Sequence, residues 1–118
     1  MSRESRLAVS HEGEVIHVRF LDRNILEEAS IQQIGDEVSA LIEASANPKL
    51  LIDFQGVEHL SSAALGTLIT INNRIRQKGG QLRLCCIDAQ ILEVFVITKL
   101  NKLFQIYDDV AGAVASFR

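Results

Sequence analysis

The segment KLLIDF, residues 49–54, has the pattern of a β-strand that is covered by other structure on both faces. Its apolar side chains follow one another almost without a break, whereas a strand with one face in water alternates apolar and polar residues. Strands of this kind occur in parallel sheets, where the crossover connections are usually helices. The segment therefore predicts an α/β fold in which it is a central strand.

Other segments have the periodicity of strands. In EVIHVRF, residues 14–20, apolar and polar residues alternate, as in a strand with one buried face. A shorter strand precedes it, and a turn at Gly13 predicts that the two form a hairpin. Residues 81–87, QLRLCCI, and residues 103–107, LFQIY, predict two further strands.

Apolar residues at helical spacing predict helices between and after these strands. The first helix is expected to begin with Ser30 as its N-cap and to end before the only proline. The second follows the serine pair at residues 61–62 and stops at the two glycines at residues 79–80. The remaining two helices are predicted over residues 88–100 and 108–117.

The length and composition fit one domain. The chain has 118 residues, of which 47% are apolar, and a chain of this size buries about two-thirds of its unfolded surface. We expect a single domain over residues 1–118, with a mixed β-sheet of about five strands and about four helices packed on it.

Charge and hydropathy limit the partners of the chain. Its formal net charge is −3, without the basic excess of a nucleic-acid-binding domain, so nucleic acid is not an expected partner. No stretch approaches the roughly 20 apolar residues of a membrane span, and the start MSRESR lacks the apolar core of a secretory signal. We therefore expect a cytoplasmic protein without membrane insertion.

The patterns that accompany nucleophilic and nucleotide-dependent catalysis do not occur at the serine pair. The serines have no G-x-S-x-G frame, and the nearby base, His59, lies in a loop whose geometry the sequence does not fix. No glycine-rich loop with a lysine precedes the helix, as a phosphate-binding loop would require. We predict that the protein is not an enzyme and that it carries no cofactor.

The cysteines and the remaining histidines do not predict a metal site. Cys85 and Cys86 are adjacent in a predicted strand, so their side chains are expected on opposite faces, as reduced thiols without a disulfide. His11 and His17 belong to the predicted hairpin and are expected to be ordinary surface residues.

The segment EHLSSAALGTLI, residues 58–69, places two hydroxyl groups where a loop enters a helix. The free N–H groups and the dipole of a helix N-terminus favour an anion, so a phosphate on either serine would be stabilised by roughly 0.3–1 kcal/mol. Serine is also a good N-cap. From these residues alone, capping and regulation by phosphorylation both remain open.

Over essentially its full length the chain resembles the STAS domain, the fold shared by sulphate transporters and anti-sigma factor antagonists. The resemblance rests on four segments in order. They are VIHVRFLDRNILEEAS (residues 15–30), LLIDFQGVEHLSSAALGTL (50–68), RQKGGQLRLCCI (76–87) and LEVFVITKLNKLFQIYDD (92–109). The resemblance implies a STAS-like arrangement of the predicted sheet and helices.

The serine pair resembles the phosphorylation motif of bacterial anti-sigma factor antagonists, Asp-Ser-Ser/Thr-Gly-Leu-Gly. The motif falls on residues 61–66, SSAALG. The resemblance therefore implies that Ser62 is the phosphorylated residue, with Ser61 as the helix cap and the alternative acceptor. Ser61 replaces the aspartate of the motif and Ala64 replaces a glycine, so a carboxylate is missing from the loop that a kinase would recognise.

The resemblance also implies a binding surface around the motif. Asp22 and Asn24 match the family position beside the phosphorylation site, and Asp53 ends the central strand nearby. The expected partner is an anti-sigma factor that is also a serine-protein kinase of the histidine-kinase-like ATPase type, with a phosphatase as a further partner. The residues expected to contact the partner are Asp22, Asn24, Glu58, His59, Ser61 and Ala63.

The expected function is that of an anti-sigma factor antagonist controlled by phosphorylation. Unmodified protein would bind the anti-sigma factor and free a sigma factor, and phosphate on Ser62 would weaken that complex. Two alternatives remain. One is an unphosphorylated STAS scaffold subunit of a stressosome or of a lipid-transport ABC complex, and the other is an enzyme or small-molecule binder.

Overall fold

A five-stranded mixed β-sheet lies at the centre of the protein, in a computed structural model that describes residues 6–117. Residues 1–5 and Arg118, which the predicted domain includes, lie outside the described residues. In chain order the elements are β1 (Leu7–Glu12), β2 (Val15–Phe20), β3 (Asn24–Ile25), α1 (Glu28–Glu43), β4 (Lys49–Asp53), β5 (His59–Leu60), α2 (Ser62–Gln77), β6 (Gln81–Cys85), α3 (Ala89–Ile97), β7 (Gln105–Tyr107) and α4 (Val110–Ala115).

The strand order of the main sheet is β1-β2-β4-β6-β7. β1 and β2 form an antiparallel hairpin around Gly13, which has the positive φ of 63° that such a turn requires. The other neighbouring strands pair in parallel. The predicted hairpin and the predicted mixed sheet with four helices are confirmed.

Helices cover both faces of the sheet, and β4 shows how the sequence produces this arrangement. Leu50 and Ile52 point into the larger core, which the sheet forms with α1, α2 and α3. Leu51 points to the opposite face and packs with Ala113 and Phe117 at α4. All three β4 side chains are fully buried. The continuous apolar run thus reflects a strand with a core on each side, as predicted.

A series of aromatic contacts crosses the larger core beside the end of β4. The ring of Phe54 lies 5.2 Å from that of Phe20 and 6.4 Å from that of Phe95, centroid to centroid, and Phe95 lies 6.0 Å from Phe104. Tilted and edge-on rings at these separations attract each other beyond their burial. Phe54 therefore fixes the start of the loop that leads to the serine pair.

The first helix begins earlier than predicted. Glu27, in an extended conformation, is the N-cap, and its backbone oxygen accepts a hydrogen bond from the N–H of Ile31 at 3.0 Å. Ser30 is buried inside the first turn, so its prediction as the cap was wrong. The short strand β3 ends at Ile25, which lets the chain turn into the helix before the hydroxyl residue is reached.

The turn between α2 and β6 depends on two glycines, as the sequence predicts. Gly79 has a φ of +71°, a backbone conformation that residues other than glycine rarely adopt. The N–H of Gly80 donates to the backbone oxygen of Ile75 at 2.9 Å. A Cβ at Gly80 would overlap the carbonyl oxygen of Pro48, so only glycine fits at this position.

Candidate functional site

A second, two-stranded sheet holds the loop that precedes the serine pair, and the sequence did not predict it. β3 and β5 pair in parallel, with Asn24 opposite His59 and Ile25 opposite Leu60. Two further backbone contacts extend the pairing. The N–H of Glu58 donates to the oxygen of Arg23 at 2.7 Å, and the N–H of Ser61 donates to the oxygen of Ile25 at 3.0 Å. The loop before Ser61 is therefore joined to the loop after β2.

Buried side chains anchor these two loops to the core. Ile25, Phe54 and Val57 are each almost fully buried in the larger core. Between the last two, Gly56 takes a φ of +87°, and the N–H of Val57 donates to the oxygen of Phe54 at 3.0 Å. The apolar residues thus fix the loop from beneath and leave Glu58 and His59 on the surface.

Ser61 is the N-cap of α2. Its φ and ψ are extended, and its side-chain oxygen accepts a hydrogen bond from the N–H of Ala64 at 3.2 Å. Its backbone oxygen accepts the N–H of Leu65 at 3.1 Å, which is the first turn of the helix. The capping role that the sequence predicted for Ser61 is confirmed.

Ser62 is the first residue of α2 and is exposed, and so is Ala63. The next two residues, Ala64 and Leu65, are buried against the sheet. The helix therefore presents a hydroxyl group to solvent at its N-terminal end, where free backbone N–H groups favour a negative charge. No acidic residue lies in the first turn of this helix.

The structure brings most of the predicted partner-binding residues together beside this hydroxyl. The Nδ1 atom of His59 lies 2.6 Å from the Oδ1 atom of Asn24, so these exposed side chains are hydrogen-bonded across the small sheet. Glu58 lies 3.9 Å from the guanidinium of Arg23, and both are well exposed. The loop before Ser62 thus carries one hydrogen-bonded pair of side chains and one loose ion pair.

Another predicted partner-binding residue, Asp22, forms an ion pair with Arg6. Its carboxylate lies 3.3 Å from the guanidinium of Arg6, with both side chains partly exposed. The carboxylate therefore belongs to an ion pair at the start of the loop, and Asn24 is the member of the predicted Asp22 and Asn24 pair that contacts the serine loop.

A buried polar cluster lies beneath the same loop, and sequence reasoning missed it. Asp53, at the end of β4, is 1% exposed, and its Oδ2 atom lies 2.9 Å from the Nε2 atom of His17, which is 12% exposed. The prediction that His17 is a surface residue was wrong. The parallel pairing of β2 with β4 places Arg19 opposite Asp53 and His17 on the same face of the sheet, and the sequence alone does not give that register.

The two cysteines join this cluster. Cys86 lies just beyond β6 with a φ of +62°, so its side chain turns back and donates from its Sγ atom to that of Cys85 at 3.6 Å. The prediction that the side chains lie on opposite faces was wrong because the strand conformation ends at Cys85. Both thiols are free, and burial is the main cause that raises the pKa of each.

The donor atoms of Asp53, Cys85 and Cys86 all lie within 4.8 Å of one another. Among residues 6–117, this is the group whose donor atoms are close enough together to hold a metal ion. At the serine pair the arrangement is different, because it offers a hydroxyl, an amide and an imidazole on an open surface. That arrangement suits recognition by a protein and modification of the hydroxyl.

Within residues 6–117, none of the helices combines the length and the apolar character needed to cross a membrane. The longest of these helices, α1 and α2, have 16 residues each, and both carry polar faces.

Comparison with known proteins agrees with the fold. A family model described as the STAS domain matches residues 17–113. A relative from Bordetella bronchiseptica, BtrV, bears a name that assigns it as an anti-sigma factor antagonist. It is 24% identical over 96 residues, which cover 81% of this chain and 82% of the relative.

Solved structures show the same architecture. An anti-sigma-factor antagonist (STAS) domain protein from Planctomyces limnophilus superposes with a TM-score of 0.86 at 25% identity, covering 94% of this chain and 97% of that one. SpoIIAA, a Bacillus cell fate determinant solved in its phosphorylated form, superposes with a TM-score of 0.73 at 17% identity, covering 95% of this chain and 99% of that one.

Proposed function

This chain belongs to the STAS domain family, and from that premise we propose that it is an anti-sigma factor antagonist switched by phosphorylation of Ser62. One observation carries the proposal. Ser62 is an exposed hydroxyl at the first position of α2, and the neighbouring Ser61 already supplies the cap. The hydroxyl of Ser61 accepts a backbone N–H as the helix cap. The hydroxyl of Ser62 does not cap the helix and is exposed, so a kinase can reach it.

In the unmodified state, the proposed binding surface has no acidic residue in the first turn of α2. It consists of Ser62 and Ala63 at the helix start and the hydrogen-bonded side chains of Asn24 and His59. Hydroxyl and amide groups cost less to desolvate than ionised groups do, so the surface suits a complex that forms and dissolves. The proposed partner is an anti-sigma factor that is also a serine kinase of the histidine-kinase-like ATPase type.

Phosphorylation would change this surface by charge. A phosphate adds about 1.5 to 2 negative charges at neutral pH, which the N-terminus of α2 tolerates within the free protein. A bound partner would have to desolvate that charge, and the nearby carboxylate of Glu58 adds repulsion for an acidic partner surface. The complex with the anti-sigma factor is therefore weakened, and a phosphatase restores it.

The domain itself supplies no catalysis in this proposal. The covalent step belongs to the partner kinase, which transfers a phosphoryl group to the Ser62 oxygen. The role places the protein in the cytoplasm, where transcription is regulated.

A second function is favoured by the altered motif. Ser61 stands where the family motif has an aspartate, and Ala64 fills a buried position where the motif has glycine. A STAS scaffold subunit of a stressosome or of a lipid-transport ABC complex, which is never phosphorylated, would need neither the aspartate nor the glycine of the motif.

Phosphate mapping separates these functions. The protein is incubated with the kinase recovered by pull-down from the native cell extract, and the modified residue is located by mass spectrometry. The switch predicts phosphate on Ser62 and none in Ser62→Ala. Thr70→Ala is the matched control, because Thr70 is an exposed hydroxyl residue two turns along the same helix. Stable binding without any phosphate on Ser61 or Ser62 would favour the scaffold.

A further inference from the structure

The thiol groups of Cys85 and Cys86 are placed as two ligands of one metal ion would be. Their Sγ atoms are 3.6 Å apart. Two thiolates bound at about 2.3 Å to a tetrahedral Zn²⁺ lie roughly 3.8 Å apart. The side chains therefore need to move by only a few tenths of an ångström to share an ion.

The backbone at Cys86 is held in an uncommon conformation that produces this placement. Its φ of +62° is sparsely populated by residues other than glycine, asparagine and aspartate. Main-chain contacts on both sides maintain it. The oxygen of Cys85 accepts the N–H of Phe54 at 2.9 Å, and the N–H of Cys86 donates to the oxygen of Tyr107 at 3.3 Å. Backbone conformations of this kind are concentrated at functional sites.

Asp53 supplies a third donor, and its orientation is fixed from outside the cluster. Its Oδ1 atom accepts the N–H of Gln55 at 2.9 Å, and its Oδ2 atom is 2.9 Å from the Nε2 atom of His17. Hydrogen bonds of this kind orient the carboxylates that bind metal ions. The carboxylate is nearly fully buried, so it cannot turn away into solvent.

We propose that Asp53, Cys85 and Cys86 form a site for a thiophilic divalent cation, with Zn²⁺ as the best match. Two sulfur donors and one oxygen donor select Zn²⁺ over Mg²⁺ or Ca²⁺, which take oxygen ligands. Three protein ligands leave a fourth position for water. Cys86 is only half-buried, and it provides the route from solvent.

The charges around the site are compatible with occupancy. One carboxylate and two thiolates exceed the charge of a divalent cation by one negative unit. The Nε atom of Arg19 lies 3.9 Å from the Oδ2 atom of Asp53, on the side of the carboxylate that His17 also contacts. The guanidinium of Arg19 offsets this excess negative charge. The site lies apart from Ser62 in this proposal and does not depend on the switch.

Titration of the reduced, full-length protein with Co²⁺ tests the site. Co²⁺ bound by two thiolates gives sulfur-to-metal charge-transfer absorption, and Zn²⁺ added afterwards should displace it with one-to-one stoichiometry. Cys86→Ser should abolish at least half of the absorption. His17→Gln, which removes a supporting contact, should weaken the affinity about 10- to 100-fold. Glu12→Gln, an exposed carboxylate on the edge strand, is the matched control and should bind as wild type does.

A second measurement distinguishes loss of the metal ligand from misfolding of the variant. The melting temperature should rise with added Zn²⁺ in wild type and in Glu12→Gln but not in Cys86→Ser, whose fold is checked by circular dichroism without metal. Absence of sulfur charge transfer in folded, fully reduced wild type would overturn the proposal. So would an unchanged affinity in Cys86→Ser, because the ion would then be bound elsewhere.

Discussion

The side-chain oxygen of Ser61 accepts the N–H of Ala64 at 3.2 Å, so the residue before Ser62 closes the first turn of α2. The two adjacent hydroxyl groups therefore have different roles. The hydroxyl of Ser61 stabilises the helix, and that of Ser62 is exposed on the surface. Substitutions at the two positions should therefore have different consequences for stability and for binding.

The first prediction concerns stability at this helix end. Ser61→Ala should lower the free energy of unfolding by roughly 0.5–2 kcal/mol through loss of the cap, whereas Ser62→Ala should cost less. Urea titration of both variants measures the difference. Ser61→Asp is the matched control, because aspartate also caps and should retain most of the stability. A larger loss in Ser62→Ala than in Ser61→Ala would mean that the cap is assigned to the wrong serine.

The second prediction concerns binding of the anti-sigma factor. Ser62→Ala should bind as wild type does and should resist phosphorylation, because the change removes one exposed hydroxyl. Ser62→Asp should bind more weakly, since its carboxylate must be desolvated under the partner, and the loss should be partial because phosphate carries more charge. Calorimetry against the partner kinase measures all three proteins. Equal affinities, with no phosphate on either serine, would contradict the switch.

The third prediction concerns the hydrogen-bonded pair beside the serine. His59→Ala and Asn24→Ala should each weaken partner binding by about 1 kcal/mol, because each removes a polar contact of the proposed surface. Both side chains are exposed, so the free energy of unfolding should change by only about 0.5 kcal/mol. Asn73→Ala, exposed farther along α2, is the control. If His59→Ala and Asn73→Ala bind the partner equally well, the surface lies elsewhere.

The fourth prediction concerns alkaline pH in metal-free protein. Burial, followed by the contacts of Cys85 with Cys86 and Asp53, raises the pKa of the Cys85 thiol above its ordinary value of 9.0. Above that pH the unfolded chain loses the thiol proton while the folded chain keeps it. The folded state then binds more protons, so its stability falls as pH rises, and below that pH the thiol has no such effect.

Comparison with Cys85→Ala isolates this contribution from those of the other groups in the chain. The variant should be less stable than wild type at neutral pH through lost packing against Leu51 and Phe117. Its free energy of unfolding should fall less steeply above the ordinary thiol pKa. Urea titrations with a chelator present measure both slopes, and parallel slopes would show that the thiol ionises equally in both states. Partner binding should be unchanged in Cys85→Ala and in Cys86→Ala.

The parts of the fold that sequence analysis predicted are those with many residues in one pattern. β4 was identified by an uninterrupted apolar run, and α2 by its helical spacing and its glycine stop. β3 and β5 have two residues each, which is too short for any periodicity, so their pairing was not predicted. Their contribution comes from backbone hydrogen bonds, which leave no trace in the side-chain pattern.

The residues of the buried polar cluster were misassigned for a related reason. Alternation along β2 correctly separates His17 from Val18, but the pattern does not say which strand will lie beside them. At Cys86 the rule of alternating faces failed because the positive φ of this residue turns its side chain towards that of Cys85. Both errors concern long-range register and a single backbone angle, neither of which the residue types encode locally.

Two glycines in the segment from α2 to β6 set opposite limits on how this sequence can diverge. Gly80 passes so close to Pro48 that any side chain would collide with the carbonyl oxygen and the ring of that residue. Another residue at this position would therefore require a different turn. Gly66 lies within α2, and apart from its chain neighbours and the backbone of its own helix no atom lies within 4 Å of the place where a Cβ would stand. Alanine would fit at that position and would lower the conformational entropy of the unfolded chain, so the fold tolerates replacement of this glycine.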